Sequence, residues 1–188
     1  TPSYNTAEPG EAEALDILMK IVGDGATSRL YKKLVVENKV ASSTSGDYSG
    51  HGLDSGQISI FAVAADGVPL PKIEAMADDV LADVAKTGVT PQELQRAKNA
   101  FIAEYVYQSD NQAILARAYG WALVVGRTIE DVESWPSRIA KVSADDVKKV
   151  AAKYLDIRQS VTGYMTPEKS EVAQSSGAAP APANDMVR

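Results

Sequence analysis

The sequence predicts an α+β domain in which a mostly antiparallel sheet is covered on one face by helices. Three observations carry that expectation. Residues 39–48 and 57–65 alternate their side chains with the period of a strand. After Gly67 the period changes to that of helices, each with its own start signal. Arg158 to Met165 then reads as a final strand that returns to the sheet.

Residues 1–7 look extended, as the end of an edge strand. From Glu11 a helix places Leu15, Leu18, Met19 and Val22 on one stripe and stops at Gly23. After Gly23-Asp24-Gly25, Thr27 or Ser28 can cap a second helix, over 27–38, with Leu30, Leu34 and either Tyr31 or Val35 on one face. The pattern breaks abruptly after Asn38, and the strand 39–48 follows. A Gly/Ser/Asp loop, Ser49 to Gly56, leads to a strand from Gln57 to Ala65. There Ile58, Ile60, Ala62 and Ala64 oppose Ser59, Phe61 and Val63, so an antiparallel pair is expected.

Pro71 suits a first helical turn, and Ile73, Met76, Ala77, Val80, Leu81 and Val84 form its apolar stripe. Thr90-Pro91-Gln92-Glu93 is a capping box, continued by Leu94, Ala97, Phe101 and Tyr105. Ser109-Asp110-Asn111-Gln112 repeats the capping pattern before Leu115, Ala118, Tyr119 and Ala122, with an end at Gly126. Thr128 opens a short helix with Val132 and Trp135, and Ser143 opens the last, with Val147, Val150, Ala151 and Tyr154.

Of 188 residues, 45% are hydrophobic and 23% charged, which is ample for one core. Twenty-five acids against nineteen bases give a net charge of −6, which argues against a nucleic-acid backbone or an anionic membrane as partner. There is no cysteine, so disulfide and thiolate chemistry are excluded. The opening Thr-Pro-Ser-Tyr lacks an initiator Met and a signal-like segment, as expected of a fragment or processed product. One folded domain is expected over 1–166. Residues 167–188, rich in Ala, Pro and Ser, are expected to form a disordered tail.

A catalytic zinc site needs about three protein ligands and an open position. The single histidine, His51, stands in a glycine-rich loop with no ligand at metal spacing, and reads as an exposed imidazole. There is no G-x-S-x-G elbow, Walker loop or G-x-G-x-x-G. The acid pairs Asp78-Asp79, Glu130-Asp131 and Asp145-Asp146 fall in first turns or on outward faces, where they complement the helix dipole. Tyr105, Tyr107, Tyr119 and Trp121 could form a stacking strip, but Tyr105 and Tyr119 lie on core stripes. On these grounds the chain supplies no catalytic, cofactor-binding or metal-ligating residue of its own.

The stretch GDGATSRLYKKLVVENKVASS resembles the G-x-x-SRL(F/Y)-x-x-(L/I) helix and following strand in the second half of insulinase/pitrilysin-type zinc metallopeptidases, a group that includes mitochondrial processing peptidase. Tyr48 with Leu53-Asp54-Ser55-Gly56 is similar to that family's Y…D-(S/T)-G turn. TPQELQRAKNAFIAEYVY resembles its EL-x-x-AKN helix, and KVSADDVKKVAAKYL its last helix before the closing strand. Four motifs in the right order span about residues 12–166.

The resemblance implies a protein of two α+β halves. The first half binds Zn²⁺ through an inverted H-x-x-E-H motif whose inner Glu is the general base. This chain has no such motif and is similar to the metal-free second half, so zinc is implied for the parent protein and none for this piece. Many bacterial relatives carry R-E-x-x-G-L-A-Y in this half, an Arg and a Tyr that stabilise the tetrahedral intermediate. Alignment on Ser28-Arg29-Leu30 puts Val35 and Ser42 at those positions, and neither can do that work. Arg29 belongs to the SRL motif and is not the missing Arg. The resemblance thus implies a zinc metalloendopeptidase whose metal-free half walls a peptide chamber and assembles with the zinc-bearing half. A partner subunit would supply the Arg/Tyr pair. The competing expectation is a non-enzymatic structural subunit of the same family, and a more distant one an unrelated carboxylate enzyme centred on Asp47 and Asp54. A periplasmic location is expected from exported relatives of this split type.

Overall fold

The computed structural model describes residues 1–166; the expected tail, 167–188, lies outside them. Helix α1 (Glu11–Val22) is the centre of the domain. The sequence stripe of Leu15, Leu18, Met19 and Val22 is buried, but so are Ala14, Ile17 and Ile21 on the other faces. The sheet, α3, α6 and α7 pack around α1. A helix buried on nearly every side is mostly apolar, and of the three acids it carries, Glu11, Glu13 and Asp16, the last two stand in its body and need partners inside the protein.

Ser28 Oγ accepts from Tyr31 N at 3.3 Å and starts the second helix, as one of the two expected caps. Its body, Tyr31–Glu37, is wound as a π-helix, with Asn38 N donating to Lys33 O at 3.2 Å. Leu30 and Leu34 are buried and Val35 is half-buried. The abrupt stop is built by Lys39, whose φ of 51° turns the chain so that Val40 N donates to Leu34 O at 2.9 Å.

Strands β1 (Ala41–Ser49) and β2 (Gln57–Ala64) form the expected antiparallel hairpin, with a bulge between Ala41 and Ser43. Thr44, Gly46 and Tyr48 turn toward α1 with Ile58, Ile60 and Ala62. Ser43, Ser45 and Asp47 line the outer face with Ser59, Phe61 and Val63. At Gly46 the sheet meets the end of α1 backbone to backbone, and Gly46 N donates to Gly23 O at 3.0 Å.

The helical block follows as α2 (Leu70–Thr87), α3 (Pro91–Ser109), α4 (Gln112–Val124), α5 (Ile129–Glu133), α6 (Trp135–Lys141) and α7 (Ala144–Tyr154). Complete capping boxes stand at Thr90 with Glu93, Thr128 with Asp131, and Ser143 with Asp146. Asn111 caps α4 by accepting from Ala113 N and Ile114 N. The stripe of α2 packs as read: Ile73, Ala77, Val80 and Val84 are buried. The stripe of α4 does not, for only Ala122 is buried and Ala118 is exposed.

Two expected extended segments differ. Residues 1–7 are extended only at their start, where Pro2 bridges to Ser55. Hydroxyls then impose a turn: Ser3 N donates to Thr6 Oγ1 at 2.9 Å, and Ala7 N to Ser3 O at 2.8 Å. Residues 158–165 are not a strand. After Ile157–Gln159, a turn of 3₁₀-helix, the chain pairs with no edge, and Val161 is 99% exposed. A strand that buries nothing and pairs with nothing cannot offset its ordering entropy. The sheet of the described residues is therefore two-stranded.

Candidate functional site

The Ser28-Arg29-Leu30 joint is a structural clamp. Arg29 Nε and Nη2 donate to the two carboxylate oxygens of Glu93, each at 2.8 Å, and Nη2 also to Gly88 O at 3.1 Å. Asp83 lies 3.3 Å from Nη1. This fork ties the second helix to the α2–α3 corner, and Glu93 is also the N3 residue of the Thr90 capping box. The Arg29 fork, against the cost of burial, holds the Glu93 carboxyl down at about 2. Two of the motifs read from the sequence thus meet in one ion pair, and Arg29 is used up in it.

Val35 and Ser42 are the positions that the resemblance aligns with the Arg and Tyr of bacterial relatives. Val35 packs against the core. Ser42 sits exposed in the β1 bulge, its hydroxyl donating to Val63 O at 3.4 Å. Asp47 stands exposed on the outer sheet face opposite Ser59. Asp54 lies exposed in the hairpin loop, where its backbone carbonyl accepts from Thr6 Oγ1 at 2.9 Å.

His51 is exposed, as expected, but it is not free. Its ring stacks on Tyr4 at 5.1 Å with an interplanar angle of 7°. Arg127 Nη1 approaches its Nδ1 at 3.3 Å, and Trp121 Nε1 donates to its carbonyl at 2.8 Å. Partial burial and then the Arg127 charge lower its pKa. Among the described residues no group of three or more His, Cys, Asp or Glu could hold a metal ion.

Of the aromatics, Tyr105 is half-buried beside Trp135 at 6.3 Å, while Tyr107 is 78% exposed and Trp121 is engaged with the His51 loop. The acid pairs behave as helix-start residues at Asp131 and Asp146, which close capping boxes.

Sequence reasoning missed a polar cluster beneath the hairpin. Tyr4 donates its hydroxyl to Asp16 and accepts from Trp135 Nε1 at 2.6 Å. Arg127 covers the Tyr4 ring at 4.5 Å. Next to it Glu13, 4% exposed, accepts from Arg138 Nε at 2.6 Å, and Arg138 Nη2 donates to Asp131 O at 2.9 Å. The available signal was Glu13 and Asp16 standing among the apolar residues in the body of α1.

Asp16 also lines a cavity of about 240 Å³ with Lys20, Asp24, Asp47, Phe101 and Glu104. Lys20 fills its charge demand, with Nζ 2.5 Å from Asp24, 3.4 Å from Glu104 and 5.0 Å from the Phe101 centroid. Burial pushes the Asp16 carboxyl up to about 7, with the nearby Glu13 adding to it and the Tyr4 hydroxyl and the Arg127 charge opposing it.

This shift has a testable consequence. The folded pKa of Asp16 lies above its unfolded value, so the folded state keeps a proton that the unfolded chain has lost. Stability from this group is fully present below the unfolded pKa and is lost as pH rises toward 7. Glu93 is depressed and acts in the opposite sense, only below its ordinary value of 4.5. Between about pH 4.5 and 7 Asp16 contributes stability that rises on acidification by up to about 1.4 kcal/mol per pH unit, opposed by His51, whose lowered pKa makes its own contribution fall on acidification, and urea unfolding reads the sum. Asp16→Asn should flatten that slope. An unchanged slope in the variant would rule Asp16 out as its source.

The chain has clear relatives. Residues 2–101 match the family described as the peptidase M16 inactive domain. The zinc protease PqqE of Helicobacter pylori (strain ATCC 700392 / 26695) is 26% identical over 157 residues, covering 82% of this chain and 34% of that protein. The chain therefore spans about a third of the length of this curated relative. An inactive peptidase domain from Bordetella parapertussis superposes with a TM-score of 0.81 at 22% identity, covering 93% of this chain and 90% of that chain. A peptidase M16 inactive domain from Pseudomonas fluorescens gives a TM-score of 0.69 at 16% identity, covering 82% and 36%. The family match runs through more than half of the chain and takes in the arginine clamp and both strands, so this chain belongs to the peptidase M16 family, among its inactive domains.

Proposed function

We propose that this domain is the metal-free half of a zinc metalloendopeptidase, walling the chamber in which a zinc-bearing half cleaves peptides. The observation that carries the reading is the outer face of the hairpin. Phe61 is 65% and Val63 44% exposed there, amid Ser43, Ser45, Asp47 and Ser59, on the face turned away from α1. An open sheet face of mixed apolar and hydroxyl character suits an extended peptide that is contacted rather than chemically changed. Zinc, its ligands and the general base would come from the other half of the protein. The Arg/Tyr pair would come from a partner chain, since Val35 and Ser42 cannot supply it. The reading includes a periplasmic location, which cell fractionation tests. Among the described residues no helix is long and apolar enough to cross a membrane.

The full-length protein, mixed with its partner chain, should hydrolyse unstructured peptides and lose that activity on chelation, regaining it with zinc. The 188-residue piece should be inactive under every condition. Absent or chelator-insensitive hydrolysis by the full-length protein would reject the peptidase reading in favour of a structural subunit.

A further inference from the structure

Helix α4 is loosely held. Only Ala122 along its length is buried, while Trp121, Leu123 and Val124 are each more than half exposed. Two ties join its end to the hairpin loop, residues 50–56. Asn5 bridges them, its Nδ2 donating to Leu53 O at 3.2 Å and to Val125 O at 2.8 Å. His51 makes the second tie: its carbonyl accepts from Trp121 Nε1 at 2.8 Å, and its ring meets Arg127, just beyond the helix. The first tie contains no titrating group. The second does.

The contact of Arg127 Nη1 with His51 Nδ1, at 3.3 Å, fixes the state of the ring. A guanidinium has N–H donors and no acceptor. Nδ1 therefore offers its lone pair, and the one N–H of the neutral imidazole is at Nε2. A second proton would go onto Nδ1, turning the acceptor into an N–H that faces another N–H and setting two cations side by side. Tyr4 does not offset this. Its ring, stacked on the imidazole, would favour a cation, but Arg127 already lies 4.5 Å from its centroid. Nor does a carboxylate. Asp16 of α1 takes the Tyr4 hydroxyl, Glu13 takes Arg138, Asp131 of α5 closes the Thr128 box, and Asp54 of the same loop lies exposed. Among the described residues none of these acids bonds the imidazole.

We propose that His51 is an acid-released latch between the hairpin loop and the end of α4. While the ring is neutral, Arg127 holds it against Tyr4, and its carbonyl holds the Trp121 indole. When the ring takes a proton, Arg127 repels it, the loop moves off Trp121, and α4 is left to the Asn5 tie. Burial and then the Arg127 charge keep the imidazole pKa below its ordinary 6.5, so the latch is shut at neutral pH and opens on acidification. The device is independent of the peptidase reading, since it uses only groups within this domain.

Nuclear magnetic resonance of the full-length protein tests this, with the His51 ring and Trp121 indole signals identified by their loss in His51→Gln and Trp121→Phe. At neutral pH the ring nitrogens should show the tautomer protonated on Nε2. The His51 midpoint should lie below 6.5 and move up toward it in Arg127→Met. Across the same midpoint, exchange of the Trp121 indole proton, corrected for its intrinsic pH dependence, should rise about tenfold or more. In His51→Gln, which keeps the carbonyl and cannot titrate, that rise should disappear. A ring protonated on Nδ1 at neutral pH, or a midpoint that Arg127→Met leaves in place, overturns the proposal. So does indole exchange that stays level across the midpoint, or that rises equally in His51→Gln and so has Asp16 as its source.

Discussion

Gly23→Ala should be among the most damaging single substitutions in the domain, lowering stability by about 3 kcal/mol or more. The backbone conformation is not the cause, for φ at Gly23 is −119°, which any residue adopts. Space is the cause. A Cβ at Gly23 would lie 2.5 Å from Gly46 Cα and 2.7 Å from Gly46 N and O, all of it backbone. No side chain can rotate away to relieve that overlap, and Gly46 is itself held in the hairpin opposite Ile60. The methyl group must push the end of α1 off the sheet, breaking the Gly46 to Gly23 hydrogen bond and loosening the core around Val22. Gly120→Ala is the matched control. It sits within α4 with nothing near its Cβ, so replacement should stabilise by about 0.5–1 kcal/mol through helix propensity. Denaturant unfolding of both variants decides the matter; equal effects would mean that the Gly23–Gly46 contact yields easily.

Arg138→Met should cost about 3–5 kcal/mol, because it removes the hydrogen-bonding partner of Glu13 and leaves a buried carboxylate uncompensated. For a domain of this size that corresponds to a fall in Tm on the order of 10 °C. The desolvation of Glu13 was offset in the folded protein by one short bond to a guanidinium that is itself anchored on Ser134 and the Asp131 carbonyl. The informative comparison is the double variant Glu13→Leu with Arg138→Met, in which no charge is stranded. It should recover most of the loss, since a buried ion pair is worth little against an apolar isostere even when breaking it is expensive. A double variant as unstable as the single one would show that the methylenes of Arg138, and not its charge, carry the effect.

The two substitutions act on features at opposite ends of legibility. Capping at Thr90, Thr128 and Ser143 was readable because each box is closed by residues three positions apart, and local geometry decides it. The stripes of α1 and α2 were readable for the same reason, as were the alternation and pairing of β1 and β2. The four family motifs were readable as an order of residues. The role of Arg29 was not, because its partner Glu93 is distant in sequence and is brought close only when the second helix docks on the α2–α3 corner. Nor was the cluster of Tyr4, Asp16 and Trp135 legible, since its members come from the first turn, α1 and α6. The final strand and the burial of the α4 stripe were misread because both require a neighbour, and periodicity records a preference for burial without naming what supplies it.

From the order of its residues alone, the chain established an α+β domain, its helix starts, its hairpin and its family. Folding in three dimensions added how α1 comes to be enclosed on nearly all sides, which charges neutralise one another inside, and where His51 rests. The division has one origin. Caps and periodic stripes depend on groups a few residues apart, whereas ion pairs, backbone contacts and edge pairing depend on segments whose closeness exists only after the chain has closed on itself.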